Sequence, residues 1–346
     1  MSDFSAFVAA VRAGDPDECN ATVRAAFRET AELPAEEIAA RTAELAELIG
    51  SDPVPVDCAA YPALVGGALV ESGHGAGPAG PAALRRLAGA APDLRSFLRA
   101  LPGPDGAGGA PEPGRVDDGQ AARITRELGD GGAAVRAWRA LDLLGRAVLT
   151  FLNVEEVRDG LRADPEVSAV LRALCTELDE AVGGYRPALL LLDLNEVDTL
   201  LVLDRESGRG FRIRPTGVTD TDQLHALLAG ALIGPQGRGL PGTPPAPEVV
   251  AVFRDQDPPE GEEVPVRGAW TLHDADGYWL TGSRHPASVP DLDGERVVVL
   301  DPVTMQTQWY AGRAFPMVRA GLEVLAELPA DEARSWLDRV TPARVI

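Results

Sequence analysis

Apolar positions in the first half of the chain recur at helical spacing. Phe4, Phe7, Val8 and Val11 share one face of a first helix, Val23, Ala26 and Phe27 mark a second, and Asp15-Pro16 separates them. After Leu33-Pro34 a third helix places Ile38, Leu45, Leu48 and Ile49 on one side and Glu36, Glu37, Glu44 and Glu47 elsewhere, with Gly50 as its C-terminal glycine. Shorter helices follow through Leu64, Val65, Ala68 and Leu69, then Leu84 and Leu87, then Leu94, Phe97, Leu98 and Leu101. Ile124, Leu128, Val135, Trp138, Leu141, Leu144, Val148, Leu149 and Leu152 predict one long helix, apolar on more than one face and therefore central. Asp164-Pro165 starts another helix through Val167, Val170, Leu171, Leu174 and Leu178, which Gly183-Gly184 stops.

Beyond Gly184 the period changes. Leu189 to Leu192, Leu200 to Leu203 and the alternating Phe211-Arg212-Ile213-Arg214 read as strands, the last two joined as an antiparallel hairpin across residues 204–210. A helix capped by Thr219, Asp220 or Thr221 carries Leu224, Leu227, Leu228, Leu232 and Ile233 and ends at Gly234-Pro235. Glu248 to Phe253 make a short element. Trp270 to Leu272, Tyr278 to Leu280 and Val297 to Leu300 read as short strands, and Gly321 to Leu328 and Asp331 to Val340 as closing helices. The segment 187–234 is the densest apolar stretch and is expected to form the inner sheet.

The fold class implied is α+β: an all-helical domain, residues 1–183, followed by an α+β domain, residues 184–346, with a mainly antiparallel sheet. The helix–break–helix texture of the first domain resembles HEAT-like repeats, in which stacked helix pairs share a buried seam, although no sequence repeat recurs at a fixed period. Residues 102–115, PGPDGAGGAPEPGR, have no apolar anchors and are predicted to be a flexible surface loop.

Composition narrows the chemistry. A formal charge of −21 opposes a nucleic-acid or anionic-membrane partner, because such affinity comes from neutralising phosphates with Lys and Arg. All 32 basic residues are Arg, as a GC-rich codon bias would produce. The absence of Lys excludes Schiff-base and pyridoxal-phosphate lysines, the Walker A lysine and kinase-type phosphate lysines, and no cofactor is expected. Cys19, Cys58 and Cys175 form no CxxC and read as buried free thiols. The first residues lack a signal-peptide pattern and no run is long and apolar enough for a membrane helix, so the expectation is a cytoplasmic protein. Four of the five tryptophans, Trp270, Trp279, Trp309 and Trp336, fall in the second domain, where core packing is the ordinary role.

The remaining motifs have modest readings. Gly237 to Gly242 spells GxGxxG but follows a helix and contains Pro241, unlike a dinucleotide loop. His74 in Ser72-Gly73-His74-Gly75 reads as a surface-loop histidine without a nucleophile elbow. His273, Asp274, Asp276 and His285 match no zinc spacing, and Asp274 to Gly277 is a good turn sequence. Asp193, Asn195, Glu196 and Asp198 form an acidic turn too short for an EF-hand.

Arg205, Arg209, Arg212 and Arg214 concentrate positive charge on the predicted hairpin. Alternation sets Arg212 and Arg214 opposite Phe211 and Ile213, placed either to grip a carboxylate or phosphate or to pair with acidic groups of the protein itself. His225 joins such a site if its helix packs across the hairpin. Two functions follow: a binding or adaptor protein for a protein, peptide or small anionic ligand, or an enzyme acting on a peptide or small anionic metabolite, with the arginines as clamp and His225 or His273 as acid–base group. Convergence of Arg212, Arg214, His225 and a carboxylate in one concave pocket would favour the enzyme.

Overall fold

The computed structural model describes residues 2–101, 110–194, 196–282, 284–303 and 307–344. It divides into two compact units, residues 1–192 and 193–346. The fold is α+β, with the helices concentrated in the first unit and a sheet in the second.

The first unit comprises α1 (Asp3–Ala13), α2 (Pro16–Ala31), α3 (Ala35–Gly50), α4 (Val56–Glu71), α5 (Ala79–Ala100), α6 (Asp118–Leu128), α7 (Ala133–Leu152), α8 (Glu155–Arg162), α9 (Pro165–Val182) and α10 (Arg186–Asp193). Local chemistry sets several boundaries. The Asp15 carboxylate accepts the Asp17 and Glu18 N–H groups with Pro16 in the first turn, and Asp164 accepts from Val167 ahead of Pro165. Phe4, Phe7, Ile38, Leu45, Leu48 and Leu69 close a core between the early helices. Trp138 of α7 is fully buried and stacks on Phe97 of α5 with ring centroids 4.5 Å apart.

The single long helix read from Ile124 to Leu152 is two helices, because Gly129 closes α6 in the left-handed conformation and α7 starts afresh after Gly132. Leu189 to Leu192, read as a strand, lies in helix α10 and belongs to the first unit. A Leu run has no period of its own, and with Arg186 and Ala188 nearby helical propensity decides it. Of the loop read at 102–115, residues 102–109 lie outside the described residues. The remainder is tied down: Gly114 N–H donates to Trp138 O at 3.1 Å and Arg115 N–H to Glu112 O at 2.9 Å.

In the second unit β1 (Leu200–Asp204) and β2 (Arg209–Thr216) form the expected antiparallel hairpin, followed by α11 (Thr221–Leu232), which Asp220 caps by accepting from Gln223 N–H. Next come α12 (Pro247–Arg254), β3 (Pro265–Arg267), β4 (Thr271–Asp274), β5 (Asp291–Leu292), β6 (Glu295–Asp301), β7 (Gln308–Tyr310), β8 (Gly321–Glu327) and α13 (Ala330–Leu337). The main sheet has the order β4-β6-β1-β2-β8, with β5 on β6; β1 and β6 are parallel and the other pairings antiparallel. Strands β3 and β7 form a separate ribbon.

Phe211, Ile213, Val298 and Leu300 pack beneath α11 and α12, while Leu201, Leu203, Val297 and Val299 pack against Ala333 and Trp336 of α13 on the other face. Helices thus cover both faces, and all five residues of β1 are buried. Two expectations fail here. Gly321 to Leu328, read as a helix, is the edge strand β8, where the open side of β2 outweighs helical spacing. Tyr278 to Leu280 makes only an isolated bridge from Trp279 to His273 instead of a strand. No described helix is long and apolar enough to cross a membrane.

Candidate functional site

The hairpin arginines are all engaged by the protein's own carboxylates. Arg205 donates through Nε to Asp301 Oδ1 at 2.6 Å, and Arg209 grips Glu327 with two bonds of 2.7 and 2.9 Å. Arg212 meets Glu295 and lies 3.7 Å from Glu332 of α13, while Arg214 pairs with its cross-strand neighbour Glu323 at 2.8 Å. The hydrogen bond from Arg209 holds the Glu327 carboxyl below the usual carboxylate range.

His225 is not among them. Phe211 and Ile213 face α11, whereas Arg212 pairs with α13 on the opposite side of the sheet, so the structure does not bring Arg212, Arg214 and His225 together. The imidazole is buried, with Nε2 accepting from the backbone N–H of Ala269 at 2.9 Å and of Trp270 at 3.3 Å. Its ring lies 6.0 Å from that of Trp270 and 5.2 Å from that of Trp309. Burial drives its pKa down to about 4, so it stays neutral near pH 7 and its Nε2 lone pair is already occupied. It borders a cavity of about 460 Å³ walled by Pro244, Pro245, Val249, Val266 and Gly268.

His273 packs on the sheet face that carries α13, with Nδ1 3.0 Å from Asp301 Oδ2. Burial alone would raise the Asp301 carboxyl, but the contact with His273 and the charge of Arg205 outweigh it and hold the group below its ordinary value. Asp274 accepts the Asp276 and Tyr278 N–H groups in the turn that Gly277, at φ 79°, completes. His285 Nδ1 accepts from Ala287 N–H. Among the described residues no three His, Cys, Asp or Glu side chains form a group that could hold a metal ion. Asn195 of the acidic turn lies outside the described residues.

Three further arginines line a groove in the helical unit. A groove of about 860 Å³ runs between α3 and α5 and reaches the start of α7, with Ala43, Ala46, Gly50, Ala82, Gly89, Ala90 and Ala133 among its lining. Arg85 and Arg86 of α5 and Arg136 of α7 border it, as do Glu47, Asp52 and Asp93. None of these six charged groups has an ion-pair partner within 4.0 Å among the described residues. Arg86 is half-buried and pinned by the Val54 and Ser51 carbonyls, and burial lowers its pKa against the opposing charge of Asp52. Arg136 donates to Gly131 O at 3.0 Å, and Arg85 has no hydrogen bond among the described residues.

Reasoning from the strand pattern missed these residues. The signals available were the Arg85-Arg86 pair and the small residues Ala82, Gly89 and Ala90 at helical spacing around it, but Arg136 lies some fifty positions away and only packing brings it alongside. The chemistry the groove offers is ionic, guanidinium and carboxylate groups over a floor of small side chains. No protein-family model, no curated protein and no solved structure matches the chain.

Proposed function

We propose that the protein is a binding or adaptor protein that takes up a peptide, a protein segment or a small anionic ligand in the groove between α3 and α5. One observation carries the reading. In a chain where Asp and Glu number 53 against 32 Arg, three arginines from two helices border one groove without an ion-pair partner, while each hairpin arginine has one. Arg86 and Arg136 are partly withdrawn from water and Arg85 is exposed, and a guanidinium without a close carboxylate gains from a carboxylate or phosphate that reaches it. The enzymatic alternative has less support, since its clamp arginines are engaged and the Nε2 acceptor of His225 is filled. A reducing, cytoplasmic setting belongs to the same reading and suits the three buried free thiols.

Thermal unfolding in citrate tests it. Citrate is expected to raise Tm of the wild type and of Arg212→Ala/Arg214→Ala, and to leave Arg85→Ala/Arg136→Gln unshifted. Loss of the shift in the hairpin variant instead would move the site to the sheet. Equal shifts in all three proteins would sink the groove.

A further inference from the structure

We propose that the ligand of this groove is an extended peptide carrying an acidic and a basic side chain about three residues apart; the inference rests on the groove being the binding site. The charges around it are of both signs: Arg85, Arg86 and Arg136 against Glu47, Asp52 and Asp93. A ligand of one sign meets attraction from three groups and repulsion from the other three, whereas one bearing both signs is matched by each set.

The layout gives a length. The α5 residues at the groove run from Pro78, the residue before the helix, to Asp93, fifteen positions along one stripe. At 1.5 Å per residue that stripe is roughly 22 Å long. An extended chain advances about 3.3–3.6 Å per residue, so the stripe accommodates roughly six residues, too long for a free amino acid. Arg86 and Asp93 are seven positions apart, roughly 10 Å along the axis, which an extended chain in the polyproline II conformation, rising about 3.1 Å per residue with three residues per turn, covers in about three residues with both side chains on one face. The floor suits a main chain lying close: a Cβ built on Gly50 or Gly89 meets no atom within 4 Å, so both backbones are open to the groove.

The probes are four capped hexapeptides: acetyl-Gly-Glu-Gly-Gly-Lys-Gly-amide, the same peptide with Glu and Lys exchanged, its diacidic form with Glu in both places, and hexaglycine. Each is titrated into full-length protein and followed by amide chemical shifts. One order of the mixed peptide is expected to bind at least about tenfold more tightly than the diacidic peptide, a difference of about 1.4 kcal/mol. Asp93→Asn should remove that preference while keeping or enlarging the citrate shift, since it takes away one repelling carboxylate, and Gly89→Leu, whose side chain enters the open floor, should block peptide and citrate alike. A diacidic peptide that binds as well as both mixed forms, a preference that survives Asp93→Asn, or failure of every peptide while citrate still acts overturns this inference alone. Absence of any citrate effect on the wild type overturns the groove reading beneath it.

Discussion

The Nε2 atom of His225 receives two main-chain N–H groups inside the second unit, and that arrangement makes the residue a pH-dependent clamp. Its folded pKa of about 4 lies below the ordinary 6.5, so in that interval the unfolded chain binds the proton and the folded one does not. The stabilisation is therefore complete above about pH 6.5 and is lost as the pH falls toward 4, at about 1.4 kcal/mol per unit. His225→Gln keeps an acceptor but cannot titrate. Urea unfolding of both proteins at pH 7 and pH 5 cancels the carboxylate contributions they share, and the wild type should lose about 2 kcal/mol more than the variant between those values. A parallel pH dependence in the two proteins would show that the imidazole is not buried neutral. Helical spacing placed His225 on α11, but nothing in it revealed that the β3–β4 connection would fold back onto its ring.

Helix α5 carries two glycines whose surroundings differ, and the contrast separates packing from open groove. A Cβ on Gly80 would stand 2.7 Å from Val157 Cγ2 and 3.3 Å from Phe151 Cδ1, whereas one on Gly89 meets nothing within 4 Å. Gly89→Ala should therefore stabilise by about 0.5–1 kcal/mol through helix propensity alone, while Gly80→Ala should cost about 1–3 kcal/mol by overpacking. Chemical denaturation of the two single variants checks both signs, and a destabilised Gly89→Ala would mean that the groove floor is covered. At this scale the helices of the first unit were largely readable, because caps such as Asp15-Pro16 and Asp164-Pro165 and a 3.6-residue period act locally. The errors fell where a distant partner decides. Leu322, Leu325 and Leu328 recur every three residues as in a helix, yet β8 forms because β2 presents an open edge. That edge is guarded by Glu323 and Glu327 and by Arg238, which donates to Val324 O at 3.3 Å.

For the whole molecule the charge of −21 sets the terms on which any anion arrives. The excess of carboxylates was plain in the composition, and it foretold that hairpin arginines would find acidic partners in the fold. That Arg85, Arg86 and Arg136 would line one groove was not legible, since it depends on how α5 and α7 pack. The two effects act at different ranges. The field of the whole protein repels citrate before contact, and salt screens that repulsion over a Debye length of about 10 Å at 0.1 M. The groove arginines act after contact, where added salt competes for the guanidinium groups and speeds departure. Raising the ionic strength is thus expected to increase both the association and the dissociation rate of citrate, leaving a shallow salt dependence of Kd, whereas a neutral-overall peptide with one Glu and one Lys should show a nearly salt-independent association rate. Stopped-flow measurements between about 0.02 and 0.3 M salt distinguish the cases, on either side of the ionic strength at which that length reaches 10 Å. An association rate for citrate that falls with salt would mean that the arginines outweigh the carboxylates beside them at long range and steer the anion in.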